Sequence, residues 1–97
     1  MRIKKEDIIQ IKNIAKTYFG EDAKVYLFGS RTNDQKRGGD IDLYIETGLK
    51  KNIIERRIKM QGNLQQILGE QKIDIVVNNF RSDKFIYHVA KQEGISL

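Results

Sequence analysis

Residues 40–46, DIDLYIE, alternate without a break. Ile41, Leu43 and Ile45 fall on one side, and Asp40, Asp42, Tyr44 and Glu46 on the other. A period of two is what a β-strand imposes on its side chains. This pattern restricts the fold, because one side of the strand has to meet an apolar core while the other carries two carboxylates. At about 3.3 Å per residue, the Cα atoms of Asp40 and Asp42 stand roughly 6.6 Å apart on the same face. Carboxylates held that way repel each other unless positive charge lies between them.

Two further short runs have strand character. AKVYLFG, residues 23–29, is β-branched and aromatic and stops at a glycine. KIDIVVN, residues 72–78, again carries an aspartate, Asp74, between isoleucines. Helical spacing fills the stretches around them. Residues 4–19 place Ile8, Ile11, Ala15 and Tyr18 on one stripe, which Gly20 ends. Residues 50–68 place Ile53, Ile54, Ile58, Leu64, Ile67 and Leu68 at the apolar positions of a second helix, ended by Gly69. A last helix is expected over 83–93, with Ser82 as its cap and Gly94 closing it. Residues 30–39 read as a polar loop, with room for a short helical turn after Ser30. The order helix, strand, loop, strand, helix, strand, helix predicts a mixed α/β (α+β) fold, a small sheet flanked by helices. No Pro/Gly/Ser-rich linker divides the 97 residues, so one domain spanning 1–97 is expected.

Composition removes several classes of chemistry. With no cysteine there is neither a disulfide nor a thiolate metal site. The single histidine, His88, nearly excludes Ser-His-Asp catalysis. No run approaches transmembrane length, and the charged start MRIKKEDIIQIK lacks the apolar stretch of a signal peptide. A cytoplasmic location with no membrane partner is therefore expected. The net charge of +5 suits nucleotide phosphates, nucleic acid or an acidic partner.

A divalent cation answers the repulsion between Asp40 and Asp42. Magnesium prefers carboxylate and phosphate oxygens. If the third strand pairs beside the second, Asp74 joins the same face, and bridging carboxylates can set two ions about 3.5–4 Å apart. Gly29, at a strand end, lets backbone approach a ligand with no Cβ in the way. Backbone N–H groups there and the Ser30 hydroxyl can hold a phosphate, and Arg31 can add a charge-assisted contact. A phosphate cradle beside a carboxylate-metal site is the equipment for phosphoryl or nucleotidyl transfer, which rests on positioning and charge neutralisation.

LFGSR, then GGDIDLYIE, then KIDIVV occur in that order over nearly the whole chain. Gly-Ser, a nine-residue spacer and Asp-x-Asp on a strand resemble the signature of the DNA polymerase β nucleotidyltransferase superfamily. The closest resemblance is to its smallest members, the minimal nucleotidyltransferase (MNT) proteins. That resemblance implies two Mg2+ ions on Asp40 and Asp42, with Asp74 binding one of them and orienting or deprotonating the attacking hydroxyl. It implies that Gly29 and Ser30 hold the β and γ phosphates of a nucleoside triphosphate, with ATP the family's nucleotide. It further implies an antitoxin that transfers AMP to a tyrosine of a HEPN-domain RNase toxin, the two forming a hetero-oligomer. Two departures bear on the triphosphate pocket: RTND follows the serine where many relatives carry a small residue, a basic residue and glycine, and Gly39 stands where serine often precedes the first aspartate.

Simpler readings stand beside these. Asp40 and Asp42 could be the solvent face of an edge strand, and Asp74 an outward aspartate without a role. Lys36 and Arg37 read as a solvated loop; Lys50, Lys51, Arg56, Arg57 and Lys59 read as a wet helix face, or as a contact for an acidic partner or RNA. His88 reads as surface or packing, Phe85 and Tyr87 as core or interface, and the apolar residues of the helices as core. Two rival functions remain: a non-catalytic antitoxin that occludes its partner on the same fold, and a small nucleic-acid-binding protein. The latter is least favoured, because the aromatics fall mostly in core-like positions rather than among exposed Lys and Arg.

Overall fold

The computed structural model describes residues 3–29, 40–69 and 71–97. Its elements are α1 (Lys5–Phe19), β1 (Lys24–Phe28), β2 (Asp40–Glu46), α2 (Ile53–Leu68), β3 (Lys72–Asn78), α3 (Phe85–Glu93) and β4 (Ile95–Ser96). The strands form one sheet in the order β3-β2-β1-β4. β1 runs antiparallel to β2 and to β4, whereas β2 and β3 are parallel, with α2 as the crossover between them.

Strand alternation sorts the sheet into two faces. Val25 and Leu27 of β1, Ile41, Leu43 and Ile45 of β2, and Ile73 and Ile75 of β3 share one core. Ile11, Ile14, Ala15 and Phe19 of α1 and Met60 and Leu64 of α2 cover it. Polar ties fix the two helices to each other: Arg56 donates to the Tyr18 carbonyl at 2.9 Å, and Asn63 to the Tyr18 hydroxyl at 3.1 Å. Gln61 donates to the Ile73 carbonyl at 2.7 Å, so α2 also occupies polar groups of β3, an edge strand of the sheet. The opposite face is covered at one end by α3, where Tyr87 and Ala90 pack with Tyr44, Tyr26, Phe28 and Val76.

Several expectations change. The second helix starts at Ile53 rather than 50, because residues 47–52 form the link from β2, with Asn52 in the left-handed region at φ 60°. The last helix starts at Phe85, and the residue before it is Lys84, in extended conformation with no side-chain cap, so Ser82 is not its cap. Gly94 does not close α3 in a left-handed turn; its φ is −77°. A Cβ there would meet the Ala90 carbonyl oxygen and Tyr26, so this glycine permits close approach rather than a turn. β4, which follows at once, was not expected, and two residues are too few for periodicity to reveal. Ile54, Ile58 and Ile67 are exposed rather than core, because α2 buries only the stripe through Met60 and Leu64. Phe85 is 83% exposed, so it is not core.

Candidate active site

Asp40, Asp42, Tyr44 and Glu46 project from the sheet face opposite the α1/α2 core, as the alternation requires. β2 is an interior strand, so Asp40 and Asp42 do not belong to an edge. The parallel register sets Asp42 against Asp74 and Asp40 against Lys72. Cα partners in a ladder point the same way, and the third aspartate thus joins the first two on one face. From the other side, β1 sets Phe28 against Asp42, which brings the following residue, Gly29, over the Asp42 carboxylate. Gly29 has φ 78°, and a Cβ built there would overlap the Asp42 carboxylate oxygen. The glycine at the end of β1 is therefore required by the aspartate beneath it.

The electrostatics follow from that crowding. Burial pushes the Asp42 carboxyl above its ordinary value, the charges of Asp74 and then Asp40 push it further, and a side-chain hydrogen bond with Asp74 adds to the rise. Lys72 pulls the other way. Its Nζ lies 3.9 Å from Asp74 Oδ2, with both side chains largely in solvent. Among the described residues, no three acidic or histidine side chains converge tightly enough to hold a metal ion as they stand. The donor set nevertheless fits a hard divalent cation: oxygen donors only, and mutual repulsion that added positive charge would relieve. Ser30, Arg31, Lys36, Arg37, Gly39 and the expected turn after Ser30 lie outside the described residues.

Farther along β2, on the same face, alternation placed Tyr44 and Glu46 but did not reveal what α3 makes of them. Tyr44 is 1% exposed. Its hydroxyl donates to Glu46 Oε2 at 2.9 Å and accepts from Asn78 Nδ2 at 3.0 Å. Burial pushes its phenol up to about 12, with Glu46 adding to the rise and the Asn78 amide opposing it. Lys91 of α3 lies 3.2 Å from the buried Glu46 carboxylate. Asn78 also accepts from the Phe80 N–H at 2.9 Å, where Phe80 sits at φ 64° and 62% exposed. A cavity of about 700 Å³ opens over this network. His88 is exposed and bonded to Asp83 at 2.6 Å, in keeping with a surface role. Tyr87 is buried as expected.

A family profile described as "Polymerase beta, Nucleotidyltransferase" matches residues 9–97. A crystal structure from Shewanella oneidensis is similar over 98% of this chain and 71% of its own, with a TM-score of 0.69 and 20% sequence identity. At that identity the likeness is one of fold. No curated protein matches the chain. Because the profile takes in both aspartate-bearing strands, the glycine that packs on Asp42 and nearly all the rest, the chain belongs to the polymerase beta nucleotidyltransferase family.

Proposed function

We propose that the chain is a magnesium-dependent nucleotidyltransferase that moves AMP from ATP to a tyrosine hydroxyl of a HEPN-type RNase toxin, silencing it as the antitoxin of a pair. The observation that carries this reading is the register of β2 and β3, which sets Asp74 beside Asp42 and two residues from Asp40 on one sheet face. Burial and the charges of Asp74 and Asp40 raise the proton affinity of Asp42, a cost to stability in the empty fold that a cation-dependent reaction gives a use.

Asp40, Asp42 and Asp74 are the residues that would hold two Mg2+ ions. Such ions neutralise triphosphate charge and stabilise the attacking and leaving oxygens. Gly29 leaves open the backbone approach to the β and γ phosphates; Ser30 and Arg31 complete that cradle in this reading. In the transfer, the acceptor oxygen bonds to the α-phosphorus, the bond from that phosphorus to the β-phosphate's bridging oxygen breaks, and pyrophosphate leaves. The hydroxyl proton passes to Asp74, the half-exposed carboxylate at the rim. In-line displacement of this kind depends on position and charge more than on covalent chemistry.

A second reading has one observation in its favour. Lys72 already lies against Asp74, as in a domain that neutralises its acids internally and inhibits its partner by occlusion alone. The test is the intact mass of a co-expressed HEPN-domain partner after incubation with ATP and magnesium, beside the same reaction with Asp42→Asn. A gain of one or more AMP units, absent with Asp42→Asn, is expected. Tight binding with no gain in mass would replace this reading with occlusion.

A further inference from the structure

The exposed isoleucines of α2 have no role in the transfer chemistry. Ile54 is 68% exposed and Ile58 is 58% exposed, one helical turn apart on the same side of α2. With Ile53 they line an open groove of about 730 Å³ between α2 and the residues that follow β3, Asn79 and Arg81. Isolated surface isoleucines are ordinary, but two in line along one groove are not. Its rim is basic. Lys50, Lys59 and Arg81 line it against a single acid, Glu55, which is itself paired with Lys59 at 3.1 Å. The Arg81 guanidinium donates to the Lys50 carbonyl at 3.4 Å and has no carboxylate at ion-pair distance among the described residues.

We infer that this groove docks an amphipathic helix of another protein whose apolar ridge is flanked by aspartate or glutamate. The line of Ile54 and Ile58 runs along the axis of α2, which suits a ridge of side chains three and four apart on a second helix. Charge chooses the flanks: cations on the rim favour acids opposite them and steer their approach. The same charge disfavours a second copy, since two chains of net charge +5 would set like-charged rims together. α2 covers the sheet face away from Asp40, Asp42 and Asp74, so the docked helix leaves the carboxylates open. The groove is therefore an anchor separate from the chemistry, and the inference stands apart from the transfer reading.

The test is an NMR titration of the 15N-labelled chain with a synthetic 18-residue helical peptide. The peptide carries leucines three and four apart and glutamates on both flanks. A twin with lysine flanks and a scrambled glutamate peptide serve as controls. The expected result is shifts centred on the amides of residues 53–59 and 79–81, with affinity falling as salt rises. Ile58→Glu, at an exposed position, should weaken binding at least tenfold, and Arg81→Glu should move the preference toward the lysine twin. Asp42→Asn should bind as the wild type does, whether or not it transfers nucleotide. The inference is overturned if the acidic peptide fails to bind, if the scrambled or lysine peptide binds equally well, or if shifts fall elsewhere. It is also overturned if sedimentation shows that the chain itself dimerises and that Ile58→Glu abolishes the dimer.

Discussion

Asp42 is where sequence, packing and charge meet. Its carboxyl is raised by burial and by Asp74 and Asp40, so its ionised form opposes folding. For an acid raised in the fold, the native state holds its proton longer than the unfolded chain does. Stability is then lost as pH climbs from the ordinary value of 3.8 through the raised one. Asp42→Asn should therefore melt a few degrees higher than the wild type at pH 7 in chelator. That gap should close as the pH falls below 3.8, where both side chains are neutral; melting curves across pH check it. The same substitution should lower magnesium-dependent pyrophosphate release from ATP by on the order of a hundredfold or more. Gly29 is coupled to this residue. At φ 78°, with the Asp42 carboxylate where a Cβ would go, Gly29→Ala should cost about 1–3 kcal/mol in urea denaturation. Gly29 was legible as a strand end in LFGS, but its contact with Asp42 was not, because that contact depends on the β1–β2 pairing.

At the scale of elements, the helices and strands with strong periodicity stand where the sequence places them, and the misplacements share a cause. The start of α2, the start of α3 and the two-residue β4 are decided by neighbours. Gly94 shows how: α3 turns into β4 hard against β1, where a Cβ would meet the Ala90 carbonyl and lie 3.2 Å from Tyr26 Cβ. Gly94→Ala should destabilise by about 1–3 kcal/mol as α3 and β4 are forced off β1. Gly62, inside α2 with nothing within 4 Å of its virtual Cβ, makes the contrast. Gly62→Ala should stabilise by about 0.5–1 kcal/mol through helix propensity alone. Urea titrations of the two variants check both signs.

For the whole molecule, the two sheet faces divide the work. One is sealed by α1 and α2 and carries the main core; the other bears the three aspartates and is covered by α3 at the end where Tyr44, Tyr26, Phe28 and Val76 lie. Among the described residues, no helix is long and apolar enough to cross a membrane. A ligand that engages the carboxylate face of the folded chain alone must stabilise the whole. ATP with magnesium at a hundred times its Kd should add about 2.7 kcal/mol, read as a higher Tm, and Asp42→Asn should lose that gain. A melting profile indifferent to nucleotide would count against the site.

By itself, the amino-acid sequence determined the periods: which of the longer stretches are helix or strand, that Asp40 and Asp42 share a face, and that glycine ends β1. Those properties are local, set by the repeat of backbone geometry along a few residues. Tertiary structure alone decided that β3 lies parallel to β2 with Asp74 opposite Asp42, and that β2 is interior. It alone decided that Tyr44 and Glu46 are covered by α3 while Ile54 and Ile58 are left bare. The physical reason is that strand pairing and burial are settled between segments far apart in the chain, where an apolar residue becomes core only if another element arrives to cover it.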